Sequence, residues 1–167
     1  PVVILPVNFA ICNGVSVPVS TFSSNISGTT YTWTNSNSSI GLASNGSGNL
    51  PSFSAVNNST SPISAIITVT PYLNGCAGTA SSFTITVNPL SNVIVPGNST
   101  VCSGTSIPAS SFSSSLPGTT FSWTNSNTAI GLPGSGSGTV PAFIASNTSS
   151  VIIAANITVT PIRNGCA

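Results

Sequence analysis

The chain has 167 residues and a single charged side chain, Arg163, with no Asp, Glu, His or Met. This composition excludes carboxylate pairs for acid–base catalysis and the Ser–His–Asp triad of hydrolases. It also excludes a basic face for nucleic acid and the Lys of a phosphate-binding loop. We therefore expect a protein that is not an enzyme, binds no nucleic acid and holds no cofactor or metal ion.

Apolar residues recur in short alternating runs among Ser, Thr and Asn, which is typical of a folded β protein. The most apolar stretch, residues 2–7, is too short to cross a membrane. The electrostatic interactions of a neutral polar surface should hardly change with pH or salt concentration. This property suits an extracellular or cell-surface location. The expected localisation is therefore outside the cell, without a membrane span.

The sequence contains an internal repeat. Cys12 and Trp33 recur as Cys102 and Trp123, each 90 residues later, and the segment from Cys12 to Cys76 aligns with 102–166 without a gap. A period this long indicates one small domain per repeat. We predict a first repeat at residues 1–89 and a second at 90–167. The second is incomplete because it has no counterpart of the last strand, and both ends resemble cuts within a longer array.

Turn residues divide the first repeat into short extended segments. Strands are predicted near 2–11, 16–23, 29–35, 40–43, 50–57, 63–73 and 80–88, and no helix is predicted. Strands of this length and spacing predict an all-β fold: tandem immunoglobulin-like or PKD-like sandwiches of about seven strands each.

Comparing the two copies shows which faces of these strands are constrained. Every second residue from Cys12 to Phe22 recurs, whereas Val17 and its odd-numbered neighbours change. The odd positions from 51 to 59 recur in the same way. Ala65, Ile67 and Val69 recur while Ile66 becomes Asn156, so Ile66 should face solvent. Because successive side chains of a strand point to opposite faces, residues that recur at every second position indicate one constrained face per strand.

The repeats resemble a known family through four segments: "YTWTNSNSSIGL", "PSFSAVNNS", "ITVTPYLNGC" and "FTITVNP". Together these resemble PKD-like and immunoglobulin-like repeats of large secreted surface proteins, found in gliding bacteria that use type IX secretion. The resemblance implies a β-sandwich strung in long arrays as the stalk of an adhesin or a surface filament. One departure is that "WTNSNSSIG" replaces the acidic "WDFGDG" loop of ordinary PKD domains, so a cation-binding role has no counterpart here.

Large aromatic residues are the expected core. Tryptophan on the third strand should point inward, as it does in immunoglobulin domains, in preference to stacking on a sugar. The predicted core positions are Trp33, Trp123, Phe22, Phe112, Phe53 and Phe143.

The four cysteines should form disulfides, because they are even in number and occupy equivalent positions in an exported protein. Cys12 is expected near the first turn and Cys76 in the "NGC" turn, at opposite ends of a sandwich. The favoured pairing is therefore Cys12–Cys166 between repeats, with Cys76 and Cys102 bonded to neighbouring repeats. The alternative is pairing within each repeat, Cys12–Cys76 and Cys102–Cys166.

These features favour a non-catalytic structural repeat whose partners are adjacent repeats, other filaments or surface polysaccharide. Two other functions stay open. Alternating Thr residues could form a flat array that binds polysaccharide or ice, although Thr also suits the wet face of any strand. The incomplete second repeat could be completed by strand exchange with another chain in a self-assembling filament.

Overall fold

The computed structural model describes residues 1–167, which form two compact units, Pro1–Pro89 and Leu90–Ala167. Unit 1 has ten strands and one 3-10 turn. Its strands are β1 (Val3–Ile4), β2 (Phe9–Cys12), β3 (Ser16–Val17), β4 (Ser23–Ser24), β5 (Thr30–Asn35), β6 (Asn45–Ser47), β7 (Phe53–Ser54), β8 (Ile63–Leu73), β9 (Cys76–Ala77) and β10 (Ser81–Asn88). The chain is thus almost entirely β, as the sequence predicted.

The main sheet of unit 1 has the strand order β2-β10-β8-β5-β6, and β9 pairs with the end of β8. All pairs in this sheet are antiparallel except β2–β10, which is parallel. The opposite layer consists of the short pairs β1–β4 and β3–β7. The result is a sandwich with one extensive sheet and one fragmented sheet.

The core of unit 1 lies between these layers. On β8 and β10, alternate side chains point inward, and Ile67, Val69 and Ile85 are fully buried. Val3, Val17 and Phe22 cover them from the opposite layer. This period-two burial is what a half-buried antiparallel sheet requires.

The long predicted first strand, 2–11, is interrupted in the structure. β1 pairs with β4 in the small layer, whereas β2 pairs with β10 in the main sheet, and Pro6 lies between them. Proline has no N–H for a sheet ladder and favours such a switch between layers. The predicted strand 16–23 is divided around Pro18 in the same way, so unit 1 has more and shorter strands than the seven predicted.

Three other local predictions are wrong or only partly right. The segment predicted as a strand at 40–43 begins on the last residue of a 3-10 turn, Ser38–Ile40, and is not a strand; the next strand is β6. The strand predicted at 50–57 is only β7. Alternation from Cys12 to Phe22 does not mark a buried face, because Val17 is buried while Ser16 and Pro18 are exposed. The recurring residues there serve a turn, in which the backbone N–H of Gly14 donates to Ala55 O.

Unit 2 repeats the same arrangement with fewer strands. They are β11 (Ser106–Ile107), β12 (Thr120–Asn125), β13 (Ser135–Ser137), β14 (Phe143–Ile144) and β15 (Ile157–Ile162), with a 3-10 turn at Thr128–Ile130. β12 lies between β13 and β15, and β11 pairs with β14. Trp123, Leu132 and Val140 form its buried core, against which Phe112 and Phe143 pack. No helix in either unit has the length and apolar character that a membrane crossing needs.

Candidate functional sites

Each unit carries one cysteine at each of its two ends. In unit 1, Cys12 lies opposite Asn88 in the β2–β10 register, just beyond the position where Val87 lies opposite Ile63. Cys76 lies opposite Leu73 in the β8–β9 register, at the other end of β8. We call the segment around Cys12 and Gly14 the turn pole and the Leu73–Cys76 hairpin the hairpin pole. Because β8 runs from Ile63 to Leu73 at about 3.3 Å per residue, the poles lie roughly 33 Å apart.

This separation excludes a bond between Cys12 and Cys76 in the folded unit, because a disulfide needs Cα atoms within about 7 Å. The same layout recurs in unit 2. At the turn pole of unit 2, the N–H of Gly104, two residues after Cys102, donates to Ala145 O. At its hairpin pole, Cys166 lies opposite Arg163 in the hairpin after β15. In the structure Cys12 and Cys166 are disulfide-bonded, whereas Cys76 and Cys102 are exposed free thiols.

The hairpin pole is formed by an Asn-Gly turn in both units. Asn74 and Asn164 adopt left-handed φ values of 50° and 51°, which Asn tolerates better than most residues. Cys166 is buried at 1% exposure, and its backbone N–H and C=O bond with those of Arg163 at 2.9 Å. The turn therefore fixes the position of the cysteine on rigid backbone.

Both tryptophans are buried at 3% exposure, and neither is available to a sugar. Each indole ring packs against the backbone of a glycine on the neighbouring strand, Trp33 opposite Gly46 and Trp123 opposite Gly136. The indole N–H groups have no hydrogen-bond partner. Of the other predicted core residues, Phe22 is buried and Phe112, Phe53 and Phe143 are partly buried.

The loop after Trp33, which replaces the acidic loop of ordinary PKD domains, is stabilised by amide side chains. Asn35 is 8% exposed, and its Nδ2 donates to Leu42 O at 3.0 Å and Ala43 O at 3.2 Å. Its Oδ1 accepts from the N–H of Asn37 at 2.9 Å. Asn37 in turn caps the 3-10 turn by accepting from Ser39 N. The equivalent Asn125 makes the same bonds in unit 2, so this neutral loop is a structural element.

A second buried amide, Asn57, holds the last strand of unit 1. Its Nδ2 donates to Val87 O at 2.7 Å and to Ser61 O at 2.9 Å, and its Oδ1 accepts from Ser59 N. Sequence reasoning assigned no role to Asn35 or Asn57. The available signal was that both recur in the second repeat, Asn57 on the face of its segment that does not vary.

The outer face of the main sheet in unit 1 carries rows of hydroxyl groups. Thr34 pairs across strands with Thr68, and the hydroxyl of Thr68 bonds that of Ser82 at 2.9 Å. Ser64 and Thr86 form a similar bond at 2.9 Å, and Ile66, 52% exposed, lies among them. Hydroxyls that bond one another are less available to a ligand, and no aromatic side chain of the chain is fully exposed. This face therefore has the chemistry of a solvated sheet.

Together, the fold and these features define a class: an all-β, immunoglobulin-like sandwich that occurs twice in tandem. Residues 9–91 match the family model of the PKD-like domain, so this part of the chain is similar to that family. The match includes the Trp33 strand, the loop that follows it and the last strand of unit 1. No curated protein matches the chain.

Proposed function

We propose that this chain is a non-catalytic structural segment of a long extracellular adhesin stalk or surface filament, in which a disulfide between Cys12 and Cys166 joins consecutive repeats. The observation that carries this proposal is the position of the cysteines at opposite poles of each unit. A cysteine at each pole cannot cross-link its own sandwich, but it can cross-link a neighbour. The proposed role therefore depends on linkage along the array rather than on a pocket.

The bonding states of the four cysteines support this pairing. Cys12 and Cys166, the two disulfide-bonded residues, occupy the turn pole of one repeat and the hairpin pole of the next. Cys76 and Cys102 are exposed thiols at the other two poles, where further repeats would bond. Linking two domains in this way restricts their freedom relative to each other, which would make an array more rigid.

An extracellular, cell-surface location is part of the same proposal. It is supported by the PKD-like match, by disulfide bonding and by a surface with a single charged side chain. The resemblance to gliding-motility adhesins exported by type IX secretion suggests one setting for such a stalk. The proposed partners are adjacent repeats, with other filaments or surface polysaccharide as further contacts. Polysaccharide or ice binding as the main function is not favoured, because no aromatic side chain is fully exposed and the outer hydroxyls bond one another.

The disulfide can be tested with one protease, because trypsin has a single cleavage site, after Arg163. Cleavage there separates the tetrapeptide containing Cys166 from the rest of the chain. We expect mass spectrometry of the unreduced digest to show the tetrapeptide still attached and its release only after reduction. In a Cys12→Ser variant, trypsin alone should release it.

The matched controls are Cys76→Ser and Cys102→Ser, in which the tetrapeptide should stay attached until reduction. Retention of the tetrapeptide in the Cys12→Ser variant, with release in one of the controls, would assign Cys166 a different partner. That result would overturn the proposed linkage between repeats.

A further inference from the structure

The disulfide between Cys12 and Cys166 encloses most of the chain in a covalent loop. The loop comprises residues 13–165, which include every strand of unit 2 and, in unit 1, every strand after β2. Fully extended, these roughly 150 residues would measure about 500 Å. A force that acts on the chain outside this loop has two covalent routes between Cys12 and Cys166. One route runs along the loop, and the other crosses the S–S bond.

The peptide linker between the units joins the same two poles as the disulfide. At the end of unit 1, Asn88 lies opposite Cys12 in the β2–β10 register. At the start of unit 2, the hydroxyl of Ser91 bonds that of Thr119 at 3.1 Å, and Thr119 immediately precedes β12, whose first residue lies opposite Ile162 near the hairpin pole. Because only residues 89 and 90 separate Asn88 from Ser91, the chain leads directly from one pole to the other. The disulfide connects these two poles a second time.

The route across the S–S bond uses only residues 1–12 of unit 1, and this segment is already almost straight. Val2 forms a bridge with Thr79, just after β9, so the segment begins near the hairpin pole. It ends with Cys12 at the turn pole. The poles lie roughly 33 Å apart, whereas residues 1–12 measure about 40 Å when fully extended. The shorter route can therefore lengthen by about 10 Å at most before it is taut.

We propose that the Cys12–Cys166 disulfide carries tension past the two sandwiches, so that a force along the chain bypasses residues 13–165. This inference rests on the proposed linkage between repeats and gives that linkage a further function. Because the S–S bond is covalent, it withstands forces that break the hydrogen bonds and apolar contacts of a sandwich. The shorter route becomes taut first, and the loop then bears no tension. The argument involves only the two cysteines and the residues between them, so it holds for whatever chain is joined on either side.

With this bypass, unfolding of a unit does not lengthen the chain. A sandwich without the disulfide adds roughly 250 Å of extended chain when a force unfolds it. Inside the loop, either unit can open and refold while one covalent bond fixes the distance between Cys12 and Cys166. A filament linked in this way keeps its length under tension even where a single sandwich is only marginally stable.

The test is a single-molecule measurement of extension under force on the 167-residue chain, with a peptide handle fused to each end. The natural chain should show no step longer than about 10 Å before the tether detaches. After the reductant TCEP is added, the same chain should show two steps of roughly 250 Å, one for each unit. The Cys12→Ser variant should show these two steps without reductant.

The matched controls are Cys76→Ser and Cys102→Ser, which remove the two exposed thiols and leave the disulfide in place. Both should behave like the natural chain, with long steps only after reduction. The reduced natural chain needs no substitution, so the test does not depend on whether a variant folds. Steps of roughly 250 Å in the unreduced natural chain would overturn the proposal. Identical traces before and after reduction would overturn it too, because the disulfide would then make no difference to extension.

The tryptic digest described above, applied to the same preparation, distinguishes failure of this inference from failure of the proposed function. If the digest shows that Cys12 is not bonded to Cys166, the linkage between repeats and the bypass are both overturned. If the digest shows the bond and the unreduced chain still lengthens in long steps, the bypass alone is overturned and the linkage stands.

Discussion

Replacing Gly46 with Ala is expected to destabilise unit 1 by about 3 kcal/mol, although the change adds one methyl group. A Cβ atom at this position would lie 2.6 Å from Cε2 of Trp33 and closer still to Cζ2. Neither partner can easily move, because Gly46 is paired on β6 and the indole is buried in the core. The backbone conformation of Gly46 is ordinary, so the cost arises from the close approach of the ring. Urea unfolding is the measurement that checks this expectation.

A double-mutant cycle separates this cause from a general loss of strand stability. In a Trp33→Phe background the ring is smaller, and Gly46→Ala should cost less than about 1 kcal/mol. If Trp123 is also changed to Phe, the chain has no tryptophan, and Tyr31 and Tyr72, both in unit 1, report its unfolding. Ser47→Ala is the control within unit 1, because Ser47 is an exposed residue of the same strand, β6, and its replacement should be nearly neutral. Equal costs of Gly46→Ala with Trp or Phe at position 33 would contradict the steric explanation.

Replacing Asn35 with Asp should make the stability of unit 1 depend on pH, which it otherwise should not. In the native protein Nδ2 of Asn35 donates to two carbonyl oxygens. An ionised carboxylate in this position would face those oxygens without a donor, so the folded state should raise the pKa of the introduced carboxyl above its ordinary value. A protonated carboxyl can still donate to Leu42 O. Stability should therefore be retained below about pH 3.9, the pKa in the unfolded chain, and be lost as pH rises through the folded-state pKa.

The expected loss for Asn35→Asp between pH 3.5 and pH 7 is about 3–4 kcal/mol, which approaches the limit that an unfolded-state pKa of about 3.9 sets over this range. Urea unfolding at both pH values measures it directly. The natural chain should show almost no change, because it has no Asp, Glu or His to titrate in this range. Ser52→Asp, at an exposed position without hydrogen bonds, should behave like the natural chain. A pH-independent Asn35→Asp variant would show that the loop does not need the amide donor.

The sequence alone could predict the regular parts of this fold. The predicted strand at 63–73 coincides with β8, and the exposure of Ile66 followed from its replacement by Asn in the second copy. These predictions succeed because a long antiparallel strand with one buried face requires an apolar residue at every second position of its sequence. The second copy then shows which of the two faces tolerates change.

The irregular segments could not be predicted in this way. From Cys12 to Phe22, the recurring residues support a turn and a bridge to Leu50, so recurrence did not indicate burial. The 3-10 turn after Asn37 depends on side-chain bonds to the backbone, which leave no periodic signal. The roles of Asn35 and Asn57 are likewise set by hydrogen bonds to backbone carbonyls, which follow no sequence period; that of Val87 lies 30 residues after Asn57. The two poles were nevertheless accessible, because the Asn-Gly turns and cysteine spacing marked them in both repeats.

The parallel pairing of β2 with β10 has a mechanical consequence. β2 is close to the start of unit 1 and β10 is its last strand, and they lie side by side from Phe9–Ile85 to Cys12–Asn88. Because the two strands run in the same direction, a force that pulls the ends of the unit apart draws them past each other along their length. Their hydrogen bonds are then loaded together in shear instead of being opened one at a time. We therefore expect unit 1 to resist stretching from its ends more strongly than its equilibrium stability alone would suggest.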